Sequence, residues 1–235
     1  MKNGQPMEHE HKNIVISLGG SLIVPNKVDL LFLEQFRTLI LRYIQSGNRV
    51  VVVCGGGSIA REYQKIARTM HSEVSDQDLD WLGIRVTRLN AELVKIIFGE
   101  FAFYKIVKEP DRISRVNDQV IVAAGWKPGW STDYVAAKCA QVLGAREVIN
   151  MSNVDYVYDK DPKEFPDARK LEHVSLDEMI DIVGTEWVPG QHSPFDPIAT
   201  QLSADLKLKV VFLHGTIQAL EEYLFSGKVS GTVIE

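Results

Sequence analysis

Four consecutive valines, Val50 to Val53, run into Cys54 and three glycines, Gly55-Gly56-Gly57, before a helical pattern opens at Ser58. An unbroken β-branched run of this kind reads as a strand buried on both faces. The glycines then turn the backbone sharply and leave its N–H groups uncovered. The helix that follows points its positive dipole end back into the loop, which suits an anion. Arg61, one turn into that helix, can close on the anion as a planar fork. A glycine-rich turn after a strand also serves as a plain structural end. The second such unit, Ile14-Val15-Ile16-Ser17-Leu18-Gly19-Gly20-Ser21, tips the balance. Two anion-ready loops imply two phosphorylated ligands, or one ligand with several phosphates.

The rest of the chain repeats the alternation. A helix is expected from Asp29, with Leu30, Leu33, Phe36, Ile40, Tyr43 and Ile44 at helical spacing and Gly47 as its stop. Ile59, Tyr63, Ile66, Ala67 and Met70 mark one helix face, and Leu82, Val86, Leu89, Leu93 and Ile96 another. Between them Asp76, Asp78 and Asp80 resemble a calcium loop only superficially, lacking its glycine and late glutamate. Asp76 and Asp78 suit helix capping, whereas Asp80 stands where its carboxylate can enter a cleft and meet sugar hydroxyls.

Strands are expected over Phe103 to Val107, Val120 to Ala124, Arg146 to Met151, Lys209 to Leu213 and Thr232 to Ile234. Helices are expected over Tyr134 to Leu143, Leu176 to Val183, from Asp196-Pro197, and over Ile217 to Phe225. Gly184 to Pro194 reads as a flap and residues 1–12 as a polar mobile tail, in which His9 and His11 are more simply solvated than metal-bound. Residues 13–235 are expected to form one domain, an α/β fold with a mostly parallel sheet covered on both faces. Ligands in such sheets sit beyond the carboxyl ends of the strands, where the loops converge. One of those loops, Gly125-Trp126-Lys127-Pro128-Gly129-Trp130-Ser131-Thr132-Asp133, is rich in turn residues and hydroxyls. Capping explains Ser131, Thr132 and Asp133 as readily as ligand binding does, and Trp126 and Trp130 could merely pack the loop.

A formal charge of -5 over 235 residues argues against a general nucleic-acid binder, so phosphates must be held by local geometry. No apolar run approaches the roughly 20 residues that cross a bilayer, and no signal-like stretch opens the chain; a cytoplasmic location and no membrane partner are the expectation. Cys54 and Cys139 read as small buried apolar residues, with a disulfide left open.

Taken together, Ser17-Leu18-Gly19-Gly20-Ser21, Gly55-Gly56-Gly57 with Arg61, Gly83-Ile84 with Thr87-Arg88-Leu89-Asn90-Ala91, Ser131-Thr132-Asp133, Asn153-Val154-Asp155 with Tyr158 and Asp161-Pro162, and Asp196-Pro197 resemble the amino-acid kinase superfamily. Within it the chain is most similar to the archaeal-type uridylate kinases. The resemblance implies a three-layer αβα sandwich in which residues from about 13 to 150 hold UMP and those from about 151 to 235 hold ATP. It places Gly19, Gly20, Ser21, Gly57 and Arg61 at the ATP phosphates, and Ser152, Asn153, Tyr158 and Asp161 at the adenosine. Gly55 and Gly56 would meet the UMP phosphate, Asp80 its ribose, and Trp126, Lys127, Pro128, Gly129, Trp130, Ser131 and Thr132 its base and phosphate.

Catalysis in the family is alignment plus positive charge, here expected from Mg²⁺ carried with ATP, Arg61, and basic groups organised by Asp133. The usual lysine is replaced by Ser17, and basic residues common at Ser58 and Gln201 are absent. Lys127 and Lys160 lie in the right loops to substitute, or are plain surface charges. The family further implies a homo-oligomer, commonly a hexamer built as a trimer of dimers, for which the helices from Leu30 to Ile44 and Leu82 to Ile97 offer surfaces. Two other readings stay open: a sibling kinase acting on a carboxylate, carbamate or other phosphate acceptor, and a nucleotide-binding regulatory or storage protein without turnover.

Overall fold

A computed structural model describes residues 12–186 and 194–235. The expected mobile tail and most of the expected flap lie outside them. The elements run β1 (Asn13–Leu18), α1 (Gly20–Ile23), α2 (Leu30–Ile44), β2 (Arg49–Cys54), α3 (Gly57–Met70), α4 (Asp76–Phe98), β3 (Val120–Ala123), α5 (Thr132–Leu143) and β4 (Glu147–Ser152). They continue with β5 (Val157–Tyr158), β6 (Lys170–Leu171), β7 (His173–Val174), α6 (Leu176–Val183), α7 (Pro197–Leu206), β8 (Lys209–His214), α8 (Ile217–Ser226) and β9 (Gly231–Ile234). Short 3-10 turns occupy Gly99–Phe101 and Pro110–Arg115.

Seven strands form one sheet in the order β3-β2-β1-β4-β8-β9-β7, and β5 pairs with β6 in a separate two-stranded ribbon. Pairing is parallel from β3 through β8, and β9 runs antiparallel to β8. The valine strand explains the layering. Val50 and Val52 join a core with Phe36 and Ile40 of α2 and Val94 and Phe98 of α4, while Val51 and Val53 join Val135, Ala136 and Cys139 of α5 on the opposite face. All four are fully buried, each worth about 1.5–3 kcal/mol of transfer free energy. Both cysteines are buried free thiols.

Three expectations are corrected. Phe103 to Val107 is not a strand: only Ala102 and Val107 bridge to β3, at Val120 and Ala123. Five residue steps face three there, so Tyr104 and Lys105 bulge into solvent. On α4 the buried stripe is Leu79, Gly83, Val86, Thr87, Asn90, Val94 and Phe98, while Leu89 and Ile96 face outward. On α3 the stripe of Tyr63, Ile66 and Met70 is exposed and Ala60 alone is buried. On α3 the apolar period marks the outer face, whereas on α4 it is split, with Val86 buried and Leu93 packed against the core while Leu89 and Ile96 face outward.

Strand order reverses between β1 and β4. From β1 the chain steps outward to β2 and β3, then returns to place β4 on the other side. Loops diverge at such a switch point and open a crevice beyond the carboxyl ends of the strands.

Candidate active site

The crevice is where the two glycine loops meet. Gly19 N–H donates to Met151 O at 3.0 Å, and Gly55 N–H to Leu18 O at 2.8 Å, so the loops after β1, β2 and β4 are tied edge to edge. A Cβ on Gly20 would lie 2.4 Å from the Gly57 nitrogen, and one on Gly57 would lie 2.4 Å from the Gly20 carbonyl carbon. Only glycine permits that approach, and Gly57 adds a left-handed φ of 67°. Asn90 holds the junction from behind, its Nδ2 donating to Gly55 O at 2.8 Å.

One cleft is lined by Gly19, Gly20 and Ser21 on one side and Gly55, Gly56 and Gly57 on the other. Helix α3 enters it with Gly56 as N-cap and no side chain closing its first amides. Those uncapped N–H groups and the helix dipole make an anion cradle. Arg61 lines the same cleft, with Nη2 3.5 Å from Ser21 Oγ. Partial burial lowers the pKa of its guanidinium without threatening the charge.

The loop from Gly125 to Asp133 gives the cleft another wall through Gly125 and Trp130 to Asp133. Thr87 Oγ1 donates to Ile84 O at 2.7 Å and accepts from Gly125 N–H at 2.9 Å. The Arg88 guanidinium donates to the carbonyls of Gly125 and Trp126 at 3.3 and 2.9 Å and fixes the loop's start. Asp80 accepts from Gly129 N–H at 2.7 Å and lines the cleft. Trp130 stacks between Trp126 at 6.2 Å and Tyr134 at 4.0 Å, with the Lys127 ammonium 4.2 Å above the Trp126 ring.

At the floor Asp133 Oδ1 accepts from Ser17 Oγ and Asn150 Nδ2, each at 2.9 Å. Ser17 and Asn150 are register partners on β1 and β4, so two polar residues among the buried apolar positions of these strands converge on one carboxylate. Desolvation pushes the Asp133 pKa up to about 6 in spite of these donors. Asp196, the N-cap of α7 and 3% exposed, binds Ala199 N–H at 2.6 Å. Burial, then the neighbouring Asp133 charge, raise its pKa to about 7.

Of the residues singled out in the sequence, Gly19, Gly20, Ser21, Gly55, Gly56, Gly57, Arg61, Asp80, Trp130, Ser131, Thr132, Asp133, Ser152 and Asn153 all line this cleft. Trp126, Lys127, Pro128, Gly129, Tyr158 and Asp161 stand outside its wall. The Tyr158 hydroxyl donates to Asp155 at 2.9 Å, and Asp161 caps Lys163 N–H. Lys160 is committed elsewhere: its ammonium lies 2.7 Å from Asp167 and over the Phe165 ring. The sequence alone assigns no role to Asn90 or Asn150, shows Thr87 only within a motif, and shows Asp196 only as a motif residue and helix start. The available signal was a polar residue inside a buried stripe or strand.

The model of the amino acid kinase family matches residues 12–214. This chain belongs to the amino acid kinase family. Among curated relatives of this family member, the uridylate kinase of Methanocaldococcus jannaschii is 33% identical over 94% of the chain and 99% of its own length. That of Thermococcus onnurineus is 34% identical with the same coverage. Among solved structures, uridylate kinase from Archaeoglobus fulgidus superposes with a TM-score of 0.79 at 33% identity, covering 94% of this amino acid kinase and 99% of that chain. UMP kinase from Bacillus anthracis gives 0.76 at 19% identity, with 96% of each chain covered, a likeness of fold alone.

Proposed function

We infer that this amino acid kinase is a uridylate kinase, transferring the γ-phosphoryl group of MgATP to UMP to give UDP and ADP in pyrimidine nucleotide synthesis. The observation that carries the reading is the shared cleft: bare amides after β1 and β2 face one centre, so two phosphate tails can meet head to head. The names of relatives at 33–34% identity over 94% of the chain supply the acceptor.

In this reading Gly20, Ser21, Gly57 and Arg61 hold the ATP phosphates, and Ser152 and Asn153, with Tyr158 and Asp161 further out, receive the adenosine. Gly55 and Gly56 take the UMP phosphate, Asp80 the ribose, and Trp126 to Thr132 the base side. The acceptor phosphate is already ionised at neutral pH, so no strong base is required. The protein's work is in-line alignment and neutralisation of the charge that spreads over the moving phosphoryl oxygens. The uncapped start of α3 and the Arg61 fork act on that charge directly. Lys127 can swing from its tryptophan into the cleft, whereas Lys160 would first have to leave Asp167.

The test is ADP release from MgATP in a coupled assay. UMP accelerates it strongly, and CMP, AMP, GMP and small carboxylate or carbamate acceptors do so poorly; indifference to UMP overturns the assignment. The scarcity of basic side chains in the cleft favours a second reading, a nucleotide-binding regulatory or storage protein. Tight binding of ATP or UTP with no ADP formed would establish it.

We also propose assembly, as a trimer of dimers, through the outward apolar faces of the helices: Leu30 and Leu31 of α2, Tyr63, Ile66 and Met70 of α3, and Leu89 and Ile96 of α4 are all exposed in the isolated chain.

A further inference from the structure

We propose that Asp133 and Asp196 together hold a divalent cation at the floor of the cleft, bound by the protein itself and distinct from the one that travels with ATP.

The first observation is an orphaned atom. Asp196 is 3% exposed and lines the cleft, yet its Oδ2 has no hydrogen-bond partner while Oδ1 takes Ala199 N–H. The Ser131 hydroxyl and the Ile198 amide lie close enough to favour its ionised form, but neither closes a bond to Oδ2. A buried carboxylate oxygen left open is costly, and a native fold normally satisfies it. A cation seated there does so.

The second is the preparation of its neighbour. Asp133 is fixed by Ser17 and Asn150, both donating to Oδ1, and the Asp196 backbone N–H also faces its carboxylate. Three donors orient this group while leaving it part-open to the cleft.

The third is the charge balance. Among the described residues, the cleft wall carries Asp80, Asp133 and Asp196 against one cationic side chain, Arg61. Any ligand with phosphates adds negative charge, and that repulsion grows where buried carboxylates are poorly solvated.

Among the described residues the donor set is all oxygen, with no histidine or cysteine in the wall. Hard cations such as Mg²⁺ and Mn²⁺ accept one or two carboxylates and fill their remaining positions with water and phosphate oxygens. A cation on the floor would share with Arg61 the neutralisation of bound phosphates that one guanidinium cannot complete. That role rests on the kinase reading; the binding site does not.

The experiment is a Mn²⁺ titration of the full-length protein without nucleotide, followed by the electron paramagnetic resonance signal of free Mn²⁺, with Mg²⁺ as competitor. The expected result is one site, emptied by Mg²⁺, whose affinity falls about tenfold or more in Asp196→Asn. Asparagine is as good an N-cap as aspartate, so α7 keeps its start. If that variant nevertheless fails to fold by circular dichroism, Asp133→Asn serves the same comparison. Asp76→Asn, a matched loss of surface charge, leaves the affinity unchanged. Equal Mn²⁺ affinity in wild type and Asp196→Asn, or Mn²⁺ retained only when ATP is added, overturns the proposal. Neither outcome depends on whether UMP is phosphorylated, so the two readings fail separately.

Discussion

Ser17 and Asn150 are the buried polar residues of β1 and β4, whose other buried positions are Val, Ile, Leu and Met, and each donates to the same oxygen of Asp133. Replacing Asn150 by leucine keeps the branched heavy-atom shape at some cost in bulk and removes a donor from a desolvated carboxylate. The expected loss is about 1–3 kcal/mol of unfolding free energy, measured by urea denaturation. The carboxyls themselves give the molecule a pH signature. Folding raises Asp133 from 3.8 to about 6 and Asp196 from 3.8 to about 7, so between those values the folded state binds more protons than the unfolded one. Stability from these two groups is full below about pH 4 and is lost as pH climbs through 6 and 7. In chelator-treated buffer Asp196→Asn should therefore show a flatter decline from pH 4 to 7 than wild type, with the difference read from denaturation midpoints. Arg61 acts on charge rather than on folding. Arg61→Ala should lower kcat for UMP phosphorylation on the order of 10²-fold or more, with the melting temperature little changed.

At the scale of elements, the decisive contact is loop against loop. The start of α1 and the start of α3 touch through Gly20 and Gly57, where backbone meets backbone and no flexible side chain can yield. Gly20→Ala must push the two loops apart, costing roughly 1–3 kcal/mol of stability and displacing the amides that would face the phosphates. Activity should fall far more than the melting temperature suggests, a split visible by comparing initial rates with thermal unfolding of the same preparation. Helix α4 shows why polar residues enter a buried stripe. Thr87 and Asn90 are buried in the stripe because each ties down a loop of the cleft, Thr87 at Gly125 and Asn90 at Gly55. Leucines at those positions would pack, but the cleft wall would lose its anchors.

For the whole molecule, the exposed stripes on α2, α3 and α4 set the expectation that Met70→Glu with Ile66→Glu shifts sedimentation toward smaller species while the far-ultraviolet dichroism stays native. The mostly parallel sheet, the valine core and the glycine turns were legible from the chain, because a parallel sheet covered on both faces demands long β-branched runs and its loops demand residues without a Cβ. Periodicity also placed most helices to within a few residues. It could not say which apolar face of α3 or α4 would turn inward, since a stripe destined for a partner and one destined for the core carry the same spacing. Nor could it assemble the cleft floor. Ser17, Asp133, Asn150 and Asp196 lie far apart in the sequence and meet because strand order reverses between β1 and β4. By itself the sequence determined what the local backbone must do: extend, turn without a side chain, start a helix. The tertiary structure alone decided which polar groups would share a desolvated centre, because that depends on through-space distance, which no local pattern encodes.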